Sequence, residues 1–235
     1  MRYVAEKLAK IFSPLTADEI GRITDVNTRR LFRLPHEESG RIAYVIGNSL
    51  YLNITNQCSN NCFFCAKGSD YLLRGYNLKL AYEPSEEEIV AAVGDSSRYD
   101  EVVFCGFGEP TYRLDTLIKV ARHLKNKGAR LRLNTNGQGS LINGRDISTD
   151  LAPYFDRISV SLNAPTKERY NRICKPQNPE KAFEALLEFT RNCRGRIPEV
   201  TLSIVEIPRV EIEACRSIAD QIGVPLRIRE FHKAH

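Results

Sequence analysis

The sequence has no run of about 18 uninterrupted apolar residues, the minimum for a membrane-spanning helix. Arg2, Glu6, Lys7 and Lys10 also break up any signal-peptide core near the start. These two absences predict a cytoplasmic protein with no membrane partner. A basic tail or tract is missing too: 34 Lys and Arg against 29 Asp and Glu leave a net charge of +5, spread along the chain. Nucleic-acid affinity draws on clustered phosphate contacts, so no stable nucleic-acid partner is expected, whereas an anionic small molecule suits the mild excess. Internal repeats and low-complexity segments are absent. A disulfide framework is unexpected as well, because seven cysteines are an odd number in a chain without an export signal. Histidine is scarce, with only His36, His123, His232 and His235.

What remains is a chain of 235 residues with 42% hydrophobic content, the size and composition of one folded α/β domain. Residues 1–40 read as a separate N-terminal helical extension. Val4, Leu8 and Ile11 share one helical face, and Thr16-Ala17-Asp18-Glu19 is a capping box that opens a second helix. Residues 41–235 form the core domain, in which β-rich runs alternate with helical patterns. Strands are expected at 51–55, 101–104, 130–134, 157–162, 200–205 and 226–230. Helices are expected near 85–93, 114–127, 146–152, 179–191 and 210–222. Six such units fit either a doubly wound sheet or a curved partial barrel, and periodicity does not choose between them.

Three of the cysteines are clustered in Cys58-Ser59-Asn60-Asn61-Cys62-Phe63-Phe64-Cys65, directly after the first expected strand. Close spacing lets one loop supply several metal corners, for zinc or for an iron-sulfur cluster. A closed zinc site wants a fourth ligand, and none of the histidines lies in the loop. Three thiolates on a four-iron cluster leave one iron open for a cofactor. Gly106-Phe107-Gly108-Glu109-Pro110 follows the second strand, where glycines let backbone approach a ligand, although such a segment also makes an ordinary strand-to-helix turn. Period-two reading of the next strands puts Leu131 and Leu133 toward the helices. Asn134, Asn136, Ser159, Ser161 and Asn163 then face inward, as do Thr201, Ser203, Arg227 and Arg229 further on. These positions suit a polar ligand or a merely polar barrel interior. Arg229 lies nearer the mouth than Arg227 and is the better anion binder, with His232 close behind it. Cys105, Cys174, Cys193 and Cys215 do not repeat the clustered spacing and read as incidental thiols, so no auxiliary cluster is expected.

With its Cys-x-x-x-Cys-x-x-Cys loop and Phe64 before the last cysteine, the chain resembles the radical S-adenosylmethionine (SAM) superfamily over about residues 50–230. The resemblance implies a partial (β/α)6 TIM-like barrel, so the expected fold is α/β with an N-terminal helical extension. It also implies a [4Fe-4S] cluster on Cys58, Cys62 and Cys65 whose open iron is chelated by S-adenosyl-L-methionine. Cluster reduction then cleaves SAM to a 5'-deoxyadenosyl radical, with an electron donor such as flavodoxin or ferredoxin. Phe64, Gly106, Gly108, Glu109, Asn134, Asn136, Ser161, Asn163 and Arg229 fall at positions that contact SAM, with Glu109 receiving its ammonium. Phe107 departs from the family's Gly-Gly-Glu-Pro segment by replacing the second glycine.

Leu50-Tyr51-Leu52-Asn53-Ile54-Thr55-Asn56 is similar to the lead of the small TatD-associated group, which is related to queuine lyase. That relationship makes queuine the expected small-molecule substrate, with carbon-nitrogen lysis giving 7-aminomethyl-7-deazaguanine. A reaction of the 7-carboxy-7-deazaguanine synthase type, a glycyl-radical activase and a non-enzymatic iron-sulfur or zinc module remain as alternatives. Tyr71, Tyr76 or Phe231 would offer a face to a flat base, and Glu206 or Glu230 a carboxylate to an amine. The long segment 67–84, which also carries Arg74 and Tyr82, would wall the site.

Overall fold

The computed structural model describes residues 40–65, 67, 71–207 and 211–231. The expected N-terminal helices and His232 lie outside the described residues. Everything below belongs to the unit Ser39–His235.

The main sheet has seven strands: β1 (Ala43–Ile46), β2 (Ser49–Leu52), β5 (Glu101–Phe104), β6 (Leu131–Thr135), β7 (Arg157–Ser161), β8 (Glu199–Val205) and β9 (Leu226–Arg229). They lie side by side in that order. β1 runs antiparallel to β2, and the remaining neighbours are parallel. The parallel strands follow one another across the sheet without a reversal of order. A doubly wound sheet has such a reversal at its switch point, so this order decides for the partial barrel. A two-stranded ribbon of β3 (Leu72–Leu73) and β4 (Tyr76–Asn77) stands apart from the main sheet.

The helices are α1 (Glu86–Val93), α2 (Leu114–Asn126), α3 (Gly139–Asn143), α4 (Ser148–Leu151), α5 (Lys167–Cys174), α6 (Ala182–Cys193) and α7 (Ile212–Ile222). Ser85 and Glu88 close a reciprocal capping box at α1 (Glu88 N to Ser85 Oγ 3.3 Å, Ser85 N to Glu88 Oε2 2.8 Å). Gly223 ends α7 in the left-handed conformation, as expected of a C-cap glycine. Alternation in the strands sends Leu131, Leu133, Ile158, Val160, Leu202 and Ile204 into one core shared with Leu117, Val120, Leu186 and Phe189 of the helices. The opposite face carries mainly polar and aromatic side chains, with Val103 buried among them.

That inner face is knitted at its N-terminal end by ion pairs. Arg132 Nη2 meets Glu101 Oε1 at 2.9 Å and also donates to the Tyr51 hydroxyl at 3.2 Å. Glu199 joins Arg157 (2.7 Å) and Arg130 (2.9 Å). One end of the barrel is thereby closed by charge pairing, and the polar C-terminal strand ends remain for chemistry.

Several boundaries differ from the sequence expectation. The first parallel strand spans Ser49–Leu52, not 51–55, because Asn53 leaves the ladder and its side-chain amide donates to the carbonyls of Leu78 (2.8 Å) and Arg41 (3.2 Å). The helix expected over 146–152 is the short α4, preceded by Asp146, whose carboxylate accepts from Ser148 N at 2.9 Å. α6 begins at Ala182, not at 179. β1, β3, β4, α3 and α5 are additional to the expected elements.

Candidate active site

The cysteine loop leaves the C-terminal end of β2 and is clamped from three sides. On the first, Arg113 donates to the carbonyls of Ile54 (2.9 Å) and Pro84 (2.7 Å). Glu83 accepts from Thr55 Oγ1 (2.7 Å) and Gln57 Nε2 (2.8 Å). The Gly106–Pro110 segment packs directly on this part of the loop, with Glu109 N donating to Gln57 O at 2.7 Å. A Cβ on Gly108 would lie 2.2 Å from the Thr55 carbonyl oxygen, and one on Gly106 2.1 Å from Asn53 Oδ1. Glycine is required at both places by close approach.

On the second side the loop pairs with the end of α5. Asn61 N donates to Cys174 O (2.9 Å), Phe63 N to Ile173 O (3.2 Å) and Gln177 N to Ser59 O (2.8 Å). Lys175, at φ 45°, turns the chain sharply after the helix. On the third side, Asn136 Nδ2 donates to Ser59 Oγ (2.8 Å) and lies 3.9 Å from Cys58 Sγ. Gln138 Nε2 donates to Asn60 Oδ1 (2.8 Å) and to the Tyr170 hydroxyl (3.0 Å), which also accepts from Asn60 Nδ2 (2.9 Å).

Glu109 joins the second and third strand ends. It is 2% exposed, and its Oε1 accepts from Thr111 N (3.2 Å), Thr111 Oγ1 (2.8 Å) and Thr135 Oγ1 (2.7 Å), while Oε2 accepts from Asn136 N (2.7 Å). Burial pushes its carboxyl above the ordinary range, against the pull of those hydrogen bonds. The Cys58 thiol is pushed up to about 12, first by burial and then by the neighbouring Glu109. The Cys62 thiol is also raised, first by its hydrogen bond with the Cys174 thiol and then by burial. Burial likewise raises Cys65.

The other expected contacts separate into groups. Asn134 hydrogen-bonds the Cys105 thiol, and its Oδ1 has no partner. Ser161 Oγ accepts from Arg229 Nη2 at 3.5 Å, and Arg229 Nε is buried without a partner. Asn163 takes the left-handed conformation (φ 58°), and its Nδ2 lies 3.8 Å from Cys174 Sγ with Oδ1 unpaired. Phe64 packs against the main core, and Phe63 is exposed. Tyr71 and Tyr76 pack against a small cluster of Tyr44, Leu78 and Phe107, with Tyr71 edge-on to Phe107 at 6.1 Å. Arg227, Glu206 and Glu230 are exposed, and Phe231 packs on the main core. Gln138, Tyr170, Cys174, Gln177, Glu83 and Arg113 hold the loop and were not anticipated. Five of the six lie outside any motif, and only Gln138, two residues beyond Asn136 on the same strand end, carried a signal.

The donor chemistry fits a thiolate-held cluster. Three free cysteines share one loop, and Cys62 and Cys65 both act electrostatically on Cys58. The unpaired Asn134, Asn163 and Arg229 atoms fit a polar ligand beside it. Among the described residues, no three His, Cys, Asp or Glu side chains converge as a ready metal-ligand set, and the Cys62 thiol is turned toward Cys174.

Residues 52–222 match the family model of the radical SAM superfamily. The chain belongs to the radical SAM superfamily. Members bind a [4Fe-4S] cluster and SAM, and need a substrate and a source of electrons. A probable GTP 3',8-cyclase of Saccharolobus islandicus is 34% identical over 192 residues, which cover 78% of this chain and 55% of that protein. The chain thus spans about half the length of the curated relatives it matches. Among solved structures, Streptococcus suis SuiB bound to SAM aligns with a TM-score of 0.61 at 12% identity, over 80% of this chain and 41% of that one. TYW1 with a lysine-pyruvate adduct aligns with a TM-score of 0.56 at 15% identity, over 79% and 65%. These likenesses show that this radical SAM chain has the partial TIM barrel of the superfamily. No helix among the described residues is long and apolar enough to cross a membrane.

Proposed function

We propose that the protein abstracts a hydrogen atom from a small guanine-type heterocycle at the open end of the barrel, with queuine as the specific substrate and 7-aminomethyl-7-deazaguanine as the product. The observation that carries this reading is a juxtaposition. Unpaired buried polar atoms of Asn134, Asn163 and Arg229 mark the SAM site at the C-terminal ends of one group of strands. Tyr71 and Phe107 form an aromatic wall beside the loop that follows β5. A flat, hydrogen-bonding base asks for one apolar face and a few edge partners.

Cys58, Cys62 and Cys65 hold the cluster. Phe64, Gly106, Gly108, Asn134, Asn136, Ser161, Asn163 and Arg229 line the SAM site. Glu109 fixes the Asn136 amide, and the one hydrogen bond at its Oε2 leaves that oxygen able to receive the SAM ammonium. When bound, the cluster and SAM supply a 5'-deoxyadenosyl radical through one-electron reductive cleavage. A small acidic carrier of the flavodoxin or ferredoxin kind brings the electron, which suits a cytoplasmic enzyme.

A second reading, cyclisation of GTP, is favoured by the 34% identity to the probable GTP 3',8-cyclase. It requires cations for the triphosphate, for which Arg229, Arg227, Lys67 and Lys79 are candidates among the described residues. Lys79 Nζ already stands 5.2 Å from the centre of the Tyr71 ring. The test is 5'-deoxyadenosine formation by the reduced holoenzyme with SAM and either queuine or GTP. Stimulation by queuine with release of the aminomethyl deazapurine supports the first reading. Stimulation by GTP alone, with a cyclised nucleotide product, replaces it with the second.

A further inference from the structure

Phe63 lies between Cys62 and Cys65 and is 59% exposed, the most exposed of the large hydrophobic side chains among the described residues. A lone exposed phenylalanine needs no explanation, but this one is held in place. Its N–H donates to the Ile173 carbonyl at 3.2 Å. Its ring stands edge-on to Phe64 with centroids 5.4 Å apart, and Phe64 packs on the main core. Two residues on, Cys65 is exposed as well. The same backbone pairing sets a basic edge along the ring. Asn61 N donates to the carbonyls of Cys174 (2.9 Å) and Lys175 (3.2 Å), so Arg172 precedes and Lys175 follows the stretch to which Phe63 is fastened. At the other end of α5, Lys167 is paired with Glu180. Arg172 and Lys175 are exposed and enter no ion pair among the described residues. Cations at a helix C-terminus offset its dipole, and here they also rim an apolar spot on the outer face of the cysteine loop.

We propose that Phe63, Arg172 and Lys175 form the docking face for the electron donor, an acidic carrier protein that presents a flavin at an apolar edge of its surface. The inference rests on Cys58, Cys62 and Cys65 holding the cluster, and the two are separable by experiment. SAM and substrate occupy the barrel mouth, which leaves the outer face of the loop as the approach for a protein-sized donor. Carboxylates of the carrier meet the two cations, and its flavin edge meets the Phe63 ring. Complementary charge speeds encounter and fixes register, and an aromatic centre within a polar rim is the usual make-up of an interface. The net charge of +5 acts in the same sense. In the transfer the flavin hydroquinone anion becomes the neutral semiquinone, and the one electron it loses enters the cluster. No covalent bond forms or breaks between the two proteins.

The test uses the full chain. Binding of an oxidised flavodoxin is measured by titration calorimetry at low and high salt. Formation of 5'-deoxyadenosine by the reconstituted protein is driven either by reduced flavodoxin or by dithionite. Arg172→Glu combined with Lys175→Glu should weaken binding on the order of tenfold at low salt, and the difference should shrink as salt rises. Phe63→Ser should weaken binding by about tenfold at both salt concentrations. Both variants should lose flavodoxin-driven turnover and match the parent protein with dithionite. Unchanged binding in both variants, or equal losses with the two reductants, would overturn the proposal, since the second outcome shows only damage to the loop. A photoreactive benzophenone carried at position 63 should crosslink to flavodoxin. Crosslinks only to the chain's own residues 1–38 or to a second copy would overturn the proposal, as would binding of a ferredoxin with none of flavodoxin. If the parent protein makes no 5'-deoxyadenosine with dithionite, the cluster assignment fails, and the binding and crosslinking results still decide the docking face.

Discussion

Glu109 offers the sharpest energetic test, because its carboxylate is nearly sealed from solvent and accepts four hydrogen bonds. Glu109→Ala removes all four at once. The Thr111 and Thr135 hydroxyls can rotate toward other acceptors, but the backbone N–H groups of Thr111 and Asn136 cannot. Each buried donor left without a partner costs about 1–3 kcal/mol, so two predict a loss of roughly 2–6 kcal/mol in urea unfolding of the apo chain. Glu109→Gln keeps one oxygen for the three contacts at Oε1 and presents an amide to Asn136 N, which should cost about half as much. The pH dependence has a definite sign. Burial raises the carboxyl above its unfolded value, so the folded state holds its proton more tightly. The stability this contributes is fully present below the ordinary carboxyl range and is lost as pH rises through the raised value. The advantage of the parent protein over Glu109→Gln should therefore shrink as pH increases across that interval. A cost under about 1 kcal/mol for Glu109→Ala would fall below even one unsatisfied donor and refute the reasoning, as would an advantage that grows with pH.

Gly108→Ala should push the second loop off the cysteine loop, because its Cβ would sit 2.2 Å from the Thr55 carbonyl. Loss of reconstituted cluster absorbance with unchanged far-UV circular dichroism is the expected pair of readings. Tyr170→Phe removes the acceptor shared by Asn60 and Gln138. It should cost about 1–2 kcal/mol of stability and lower cluster occupancy, measured as iron per chain. Arg132→Ala removes the 2.9 Å partner of Glu101 but leaves it Arg157 at 3.8 Å and the Ser49 hydroxyl at 3.3 Å, a loss of about 1–3 kcal/mol by denaturant unfolding. Replacing both members by apolar residues should recover most of it.

Most of the parallel strands were legible because they carry a period of two with β-branched or leucine residues on one face, as in Ile158 and Val160 of β7. β5 instead shows a short apolar run of Val102, Val103 and Phe104. The cysteine loop was legible because three thiols at close spacing have few other uses. Periodicity did not choose between a doubly wound sheet and a partial barrel, since that choice lies in strand order. α5 escaped notice because four of the eight residues of Lys167–Cys174 are charged, around three buried side chains, Tyr170, Ile173 and Cys174. With the helix unseen, Cys174 and Tyr170 had no place beside the loop. β1 pairs only along one edge, and the polar clamp of Asn60, Gln138 and Tyr170 joins residues up to 110 apart in sequence. Such contacts leave no local pattern to read. Arg227 keeps the inward register opposite Ser203 but is exposed, because β9 is the last strand of an unclosed sheet.

The most direct test of the proposed function follows a hydrogen atom. Holoenzyme, reductant and SAM are incubated with queuine deuterated at its cyclopentenediol carbons, and the 5'-deoxyadenosine is weighed by mass spectrometry. Transfer of one deuterium into 5'-deoxyadenosine, together with release of 7-aminomethyl-7-deazaguanine, is the predicted result. Unlabelled 5'-deoxyadenosine at the rate seen without queuine, from an enzyme that still cleaves SAM, would contradict the assignment of a deazapurine to this barrel.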